Sequence, residues 1–493
     1  MDLTVLNLAV PHLSADLRPS SAQLLWIIDV YGFMVAGSLI TMGTLGDRIG
    51  RRRLLLIGAS AFGLASVIAA FSVSAEMLIA TRALLGLAGA TLAPSTLSLI
   101  RNMFLDPNQR TFAIGVWVTS YSIGGAIGPL LGGIVLQYFW WGAVFLLGVP
   151  VMALLLVLGP LLLPEYKDSK AGRLDLLSAG LSLAAVLFVI YGLKRIAEQG
   201  PGWQAVLSIA IGLLVGLGFV QRQRWLADPL IDLRLFRLPA FSASLVTYTI
   251  GTFVGFGVYV FTAQYLQLVL GLSPLKAGLW TLPTMVGYIL ASMLVPIIVR
   301  RVRPAYVMGA GLTLAAAGFA MLTQVEAGGL LVVVVGSVVY SLGLSPVVIL
   351  ATDLIVGCAP VERAGAASAI SETSSEFGGA LGIAILGSIG TAVYRSVMAQ
   401  AVPGSVPAAA KEGARATLGG ALAVAEHLPG RAGAELLAVA REAFVHAFQV
   451  IAAISAVLVL ITAILSVLVL RDSRPGADRA PELKLSRVPT GSV

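Results

Sequence analysis

Residues 329–357 read GLLVVVVGSVVYSLGLSPVVILATDLIVG and carry a single charge, Asp353. About 20 apolar helical residues, each rising 1.5 Å, span the roughly 30 Å hydrocarbon core of a bilayer. This run is therefore long enough to cross a membrane. Runs of the same kind recur on both sides of it, near 24–45, 54–73, 77–100, 111–136, 141–163, 174–193, 204–220, 241–268, 277–299, 305–323, 365–394 and 449–470. With 329–357 they make thirteen complete segments. Residues 1–13 read as the end of a fourteenth, because so short a helix reaches only about 20 Å. The expectation is a chain that starts inside its first membrane helix, with Met1 misassigned or an upstream piece missing. A signal peptide is rejected for this stretch. Asp2 stands where a basic region belongs, and Pro11 and His12 close the run.

Composition gives the same class. Of 493 residues, 58% are hydrophobic and 11% charged, with a mean hydropathy of +0.94. Soluble domains run at roughly 45–50% apolar and about 25% charged. Too little polar surface remains to clothe a soluble globule, which excludes soluble enzymes, nucleic-acid binders and disordered scaffolds. The net charge of +8 does not point to nucleic acid, since the basic residues fall in alternate loops. The loops holding Arg48 to Arg53, Arg101 and Arg110, Lys167 to Arg173, Arg222 to Arg237, Arg300 to Arg303 and Arg363, with the tail from Arg471, contain about 22 of the 32 Lys and Arg. The short loops opposite hold about four, among them Arg18, Lys194 and Arg195. Basic loops stay in the cytoplasm, so both termini are expected there, which demands an even number of spans. Cys358 is the only cysteine, so no intramolecular disulfide forms. Arg outnumbers Lys in an Ala- and Gly-rich background without a glycosylation sequon, which suits a bacterial inner membrane.

The chain also repeats itself. Ile123-Gly124-Gly125-Ala126-Ile127-Gly128 returns as Phe377-Gly378-Gly379-Ala380-Leu381-Gly382. Ala93-Pro94 returns as Ser345-Pro346, and Arg48 to Arg53 has a degenerate echo at Arg300 to Arg303. The common offset of 252–254 residues implies two six-helix halves, with 174–193 and 204–220 inserted as an extra pair. The domains expected are 1–163, a linker with two helices at 164–239, and 240–470. The last contains an external helical hairpin at about 395–447 and is followed by a disordered cytoplasmic tail at 471–493.

These motifs resemble the major facilitator superfamily, and within it the fourteen-span drug:proton antiporters. Gly43-Thr44-Leu45-Gly46-Asp47-Arg48-Ile49-Gly50-Arg51-Arg52-Arg53 is similar to the loop motif shared across that superfamily. Arg82 with Gly86 and Gly89 resembles its fourth-helix arginine motif. Gly124 through Gly128-Pro129 to Gly132-Gly133 resembles its fifth-helix antiporter motif. Asp2 through Asn7 and Pro11 resembles the first-helix motif of the fourteen-span group. Leu25 to Tyr31 resembles the second helix of exporters of quaternary ammonium compounds and methyl viologen. Gly148 departs from the pattern, where relatives commonly have Asn. The resemblance implies an all-α polytopic major facilitator fold of fourteen transmembrane helices, the first truncated here. It also implies alternating access, with Asp47 pairing with another helix and stabilising the outward-facing state. The glycine stripe Gly124, Gly128, Gly132 with Pro129 would be a seal between the halves. Tight packing alone is the other reading of that stripe, and topology alone the other reading of the basic loop.

Intramembrane acids carry the functional expectation, because a charge in the bilayer is costly and usually lines a cavity. Asp29 lies in the second span, Asp2 in the first, and Glu372 and Glu376 lie one turn apart on one face of the thirteenth. Asp353, near a helix end where it can reach water, is read as structural. A desolvated carboxyl is costly to ionise, so it holds a proton or a cation but not both. Proton coupling is assigned to Asp2, Asp29 and Glu376, and substrate binding to Asp29, Glu372, Trp26, Tyr31, Tyr121 and Phe256. The aromatic rings offer faces to quaternary ammonium groups. Asp2 is expected to pair with Arg82, whereas Asp29, Glu372 and Glu376 have no basic partner evident in sequence. Ser371 stands where some relatives carry a second acid. The expected activity is proton-driven export of lipophilic cations. It needs no cofactor or metal and no nucleic acid, only protons, membrane lipids and a monomeric chain. A dedicated exporter of one antibiotic or metabolite is the alternative. His12, His427 and His446 are isolated, and no nucleophile–base pair or nucleotide loop supports an enzyme.

Overall fold

The computed structural model describes residues 2–167, 174–200, 202–226, 228–403, 406–428 and 430–471, and among them there is no β-strand. Of the expected tail at 471–493, residues 472–493 lie outside the described residues. In chain order the helices are α1 Asp2–Leu17, α2 Ser21–Ile49, α3 Arg51–Ala70, α4 Ala75–Gly89, α5 Leu92–Met103 and α6 Pro107–Tyr138. Next come α7 Ala143–Leu146, α8 Val149–Leu162, α9 Leu176–Gln199, α10 Trp203–Trp225, α11 Pro239–Gln264 and α12 Pro274–Ile298. The last six are α13 Pro304–Leu322, α14 Leu330–Cys358, α15 Ala364–Ala401, α16 Ala408–Ala416, α17 Leu418–Glu426 and α18 Gly430–Leu470. Among the described residues 12 segments are long and apolar enough to cross a bilayer, with α4–α5 and α7–α8 each counted as one. The 32-residue α6 and the 16-residue α1 correspond to the other two expected spans. Helices prevail because a bilayer offers backbone groups no water to bond to, and a helix satisfies them within one segment.

Local chemistry sets the ends. Ser20 Oγ accepts from Gln23 N at 3.2 Å and Gln23 Oε1 accepts from Ser20 N at 2.8 Å, a reciprocal cap that starts α2. Gly50, at φ 113°, ends α2 and lets α3 begin at the next residue. The Glu165 carboxylate then receives the N–H groups of Arg52 (3.1 Å) and Arg53 (3.0 Å), capping α3 from the far end of α8.

The helices α9 and α10, the pair expected between the two halves, pack on each other, and α9 lies along both α2 and α15. Phe33 and Ala36 of α2, Val186 and Ile190 of α9 and Phe377 of α15 form one apolar cluster in that seam. The expected external hairpin is built largely from its neighbours. α15 continues for 38 residues and α18 for 41, about 57 and 62 Å, with the nine-residue α16 and α17 between them. No proline interrupts α15 before Pro403, so nothing stops it at the bilayer surface. The cap so formed is packed: the Tyr394 hydroxyl donates to Ala414 O at 3.0 Å, and Met398, Leu418 and Leu436 join one core with Phe448.

Candidate transport site and the latch beside it

At the end of the molecule where the basic loops gather, the α2–α3 corner is locked onto the start of α15. Asp47 accepts from Arg51 Nε (2.9 Å) and Nη2 (2.7 Å) and from the backbone N–H groups of Gly365 and Ala366, both at 3.0 Å. Those two amides are at the N-terminus of α15, where free N–H groups and the helix dipole favour an anion. Arg51, 1% exposed, also donates to Val361 O (2.8 Å) and Glu362 O (2.9 Å). The approach needs glycine on both sides: a Cβ on Gly43 would lie 2.4 Å from Gly365 O, and one on Gly365 would lie 2.4 Å from Gly43 O.

Two further links were not legible in sequence. Arg110 Nε of α6 donates to Asp353 Oδ1 of α14 at 2.5 Å, with Thr111 Oγ1 on the other carboxylate oxygen at 2.6 Å. Asp353 is 4% exposed. It is structural as expected, but it is tied to α6 inside the protein instead of reaching water. Asp228, in the connection after α10, accepts from Arg48 (2.9 Å) and Arg363 (3.1 Å), joining that connection to both sides of the closed end.

Midway along the helices a second group of charges meets. The Lys194 ammonium of α9 pairs with Asp29 of α2 and lies 4.9 Å over the Phe33 ring. The sequence reading put Lys194 in a loop and gave Asp29 no basic partner. α9 instead runs on to Gln199, which carries Lys194 alongside α2. The positive charge of Lys194 also bears on Glu376, and Glu376 bears on Glu372 one turn below it. Glu372 Oε1 is buried without a hydrogen-bond partner. Tyr121 of α6 is 71% exposed, its ring stacked on Trp117 with centroids 6.4 Å apart. Phe256, half exposed, faces Gly379 on the neighbouring turn of α15.

The other expected members are elsewhere. Trp26 packs edge-on against Phe33 at 6.1 Å, within reach of the Lys194 group. Tyr31 turns away from Asp29, with its ring 5.4 Å below the Arg82 guanidinium. Successive odd positions on a helix lie about 200° apart, so Asp29 and Tyr31 cannot share a face. Arg82 is fully buried and donates from Nε to Ile27 O. The side chain of Asp2, and with it the expected Asp2–Arg82 pair, lies outside the described residues, as does the ring of Pro129.

The glycine stripes of the two halves differ. Gly378 and Gly382 are pressed against α11, where a Cβ would meet Thr249 O at 2.5 Å and Phe253 O at 2.0 Å. Gly128 is buried, but a Cβ on Gly124, Gly125 or Gly133 would meet nothing within 4 Å. The expected close approach of another backbone is therefore missing at Gly124. α6 and α12 meet where Thr119 Oγ1 and Ser292 Oγ are 2.6 Å apart. The basic end is thus latched, while part of the α6 stripe faces open space.

A polytopic helical body with internal acids and one latched end defines a membrane transporter. The Major Facilitator Superfamily matches residues 1–383, and the chain belongs to that family. It is 43% identical over 467 residues to the multidrug efflux pump LfrA of Mycolicibacterium smegmatis, covering 94% of this chain and 92% of that protein. It is 38% identical over 466 residues to the methyl viologen resistance protein SmvA of Salmonella typhimurium, covering 91% of each. The human organic anion transporter MFSD10 shares the fold at a TM-score of 0.54 and 16% identity, over 92% of this chain and 89% of that one.

Proposed function

We propose that this protein exports lipophilic cations across a bacterial inner membrane in exchange for protons, with its basic end and both termini in the cytoplasm. What supports this reading is the set of acids inside the helical body, Asp29 beside Lys194 and Phe33, and Glu372 one turn from Glu376 on α15, with aromatic side chains on the neighbouring helices. An organic cation neutralises such acids and stacks on the rings, and a proton neutralises them equally well. Either occupant removes the cost of buried negative charge, so one displaces the other. Multidrug efflux and methyl viologen resistance in the relatives support the same cargo class. The latch at Asp47 then holds the outward-facing state, and the parted glycine stripe of α6 closes when the cycle turns inward.

Ethidium efflux from cells under an imposed pH gradient tests this. Asp29→Asn and Glu376→Gln are expected to lower the initial rate at least tenfold at unchanged protein level. If both pump like the parent, the carboxylate mechanism is wrong.

A further inference from the structure

Lys194 belongs to α9, one of the two helices inserted between the repeated halves, yet its ammonium lies among the acids of the transport site. Its surroundings are those an organic cation would seek. Asp29 supplies a direct ion pair, the Phe33 ring presents its face at 4.9 Å, and the charge of Glu376 is within reach. The Lys194 side chain is 38% exposed, so water reaches it and the head group can leave. Its four-carbon stem allows that movement, while the apolar seam of Phe33, Ala36, Val186 and Ile190 keeps α9 against α2. The next basic residue, Arg195, is engaged at least in part with Tyr191, donating to its hydroxyl at 2.9 Å.

We propose that Lys194 is a tethered counter-cation of the transport site: its ammonium occupies the place an exported cation takes, and cargo enters by displacing it from Asp29. This rests on the cation-export reading above and adds what sets the charge of the cargo. With Asp29, Glu372 and Glu376 ionised, the site carries three negative charges, and Lys194 leaves it a net two. Removing that positive charge strengthens attraction in proportion to ligand charge. At 6–8 Å and an effective dielectric of about 20, the gain is at least tenfold for a monocation and its square, about a hundredfold or more, for a dication. A merely structural lysine would change both affinities by one common factor.

Equilibrium binding to the purified full chain decides the matter, using tritiated tetraphenylphosphonium as the monocation and its displacement by methyl viologen as the dication. Lys194→Gln is expected to tighten both, with the logarithm of the change for the dication about twice that for the monocation. Lys194→Arg is expected to keep the parent's ratio. Asp29→Asn/Lys194→Gln restores the net charge, so its ratio is expected to return toward the parent's. Equal factors for the two cations, no change in Lys194→Gln, or a double variant that keeps the dication preference would each overturn the proposal. A parent protein that binds neither cation would instead remove the cation-export reading beneath it.

Discussion

Asp47→Asn tests the latch with a side chain of nearly the same size. Of the four hydrogen bonds to the Asp47 carboxylate, two come from Arg51, four residues along the same corner, and persist in any conformation that keeps that corner. The other two come from Gly365 and Ala366 at the start of α15 and exist only while the basic end is shut. A hydrogen bond to a charged group is worth ~1.5–3 kcal/mol net. The neutral amide keeps one accepting oxygen, so the state-dependent loss is ~2–3 kcal/mol. That shifts the closed–open equilibrium roughly 30- to 150-fold. Cys358, the only cysteine, provides the assay. It is 5% exposed, in a core that includes Leu97 and Ile114 from the first half and Ile355 from the second. Its rate of reaction with a soluble maleimide follows the fraction of time this end is open. Asp47→Asn is expected to raise that rate by the factor above. Asp228→Asn is the internal comparison: its carboxylate is 34% exposed, where ion pairs are worth ~0–1 kcal/mol each, so with two such pairs its effect is expected to stay below that of Asp47→Asn. A Cys358 rate for Asp47→Asn within threefold of the parent would refute the latch.

Alanine at the paired glycines should separate folding from cycling. Gly378→Ala drives a Cβ to 2.5 Å from Thr249 O and is expected to cost ~1–3 kcal/mol or more, seen as a lower thermal midpoint in detergent. Gly124→Ala meets open space in this state. It should leave the midpoint unchanged while slowing ethidium efflux, because the inward-facing state must close on it. Asp175, at the start of α9, is held down to about 2 chiefly by its hydrogen bond from Arg222 of α10. A depressed carboxyl contributes stability above its unfolded value near 3.9, and that stability fades as pH falls through the folded value. Hydrogen exchange in the first turn of α9 is therefore expected to speed up between about pH 4 and pH 2 beyond the intrinsic pH effect, with Asp175→Asn fast throughout that range.

Number and placement of the helices are legible in the sequence because each span depends on residues a few positions apart, and the repeat shows as a common offset of 252–254 residues. A bilayer requires every spanning backbone to satisfy itself locally, so hydropathy read along the chain finds the spans. Acids inside the bilayer likewise announce themselves, because their cost makes them rare. Only the packing of distant helices put Lys194 on Asp29, separated by 165 residues, and Arg110 on Asp353, separated by 243. In sequence Lys194 counted as a loop charge, since a helix end and a loop start look alike when the run turns polar. The two glycine stripes are nearly identical as strings. One lies in hard contact with α11, while part of the other faces open space, because conformational state belongs to the arrangement of helices and not to any one of them. The amino-acid order thus determined what crosses the membrane and which charges are buried there. The tertiary structure decided which of those charges meet, and which end of the molecule is latched.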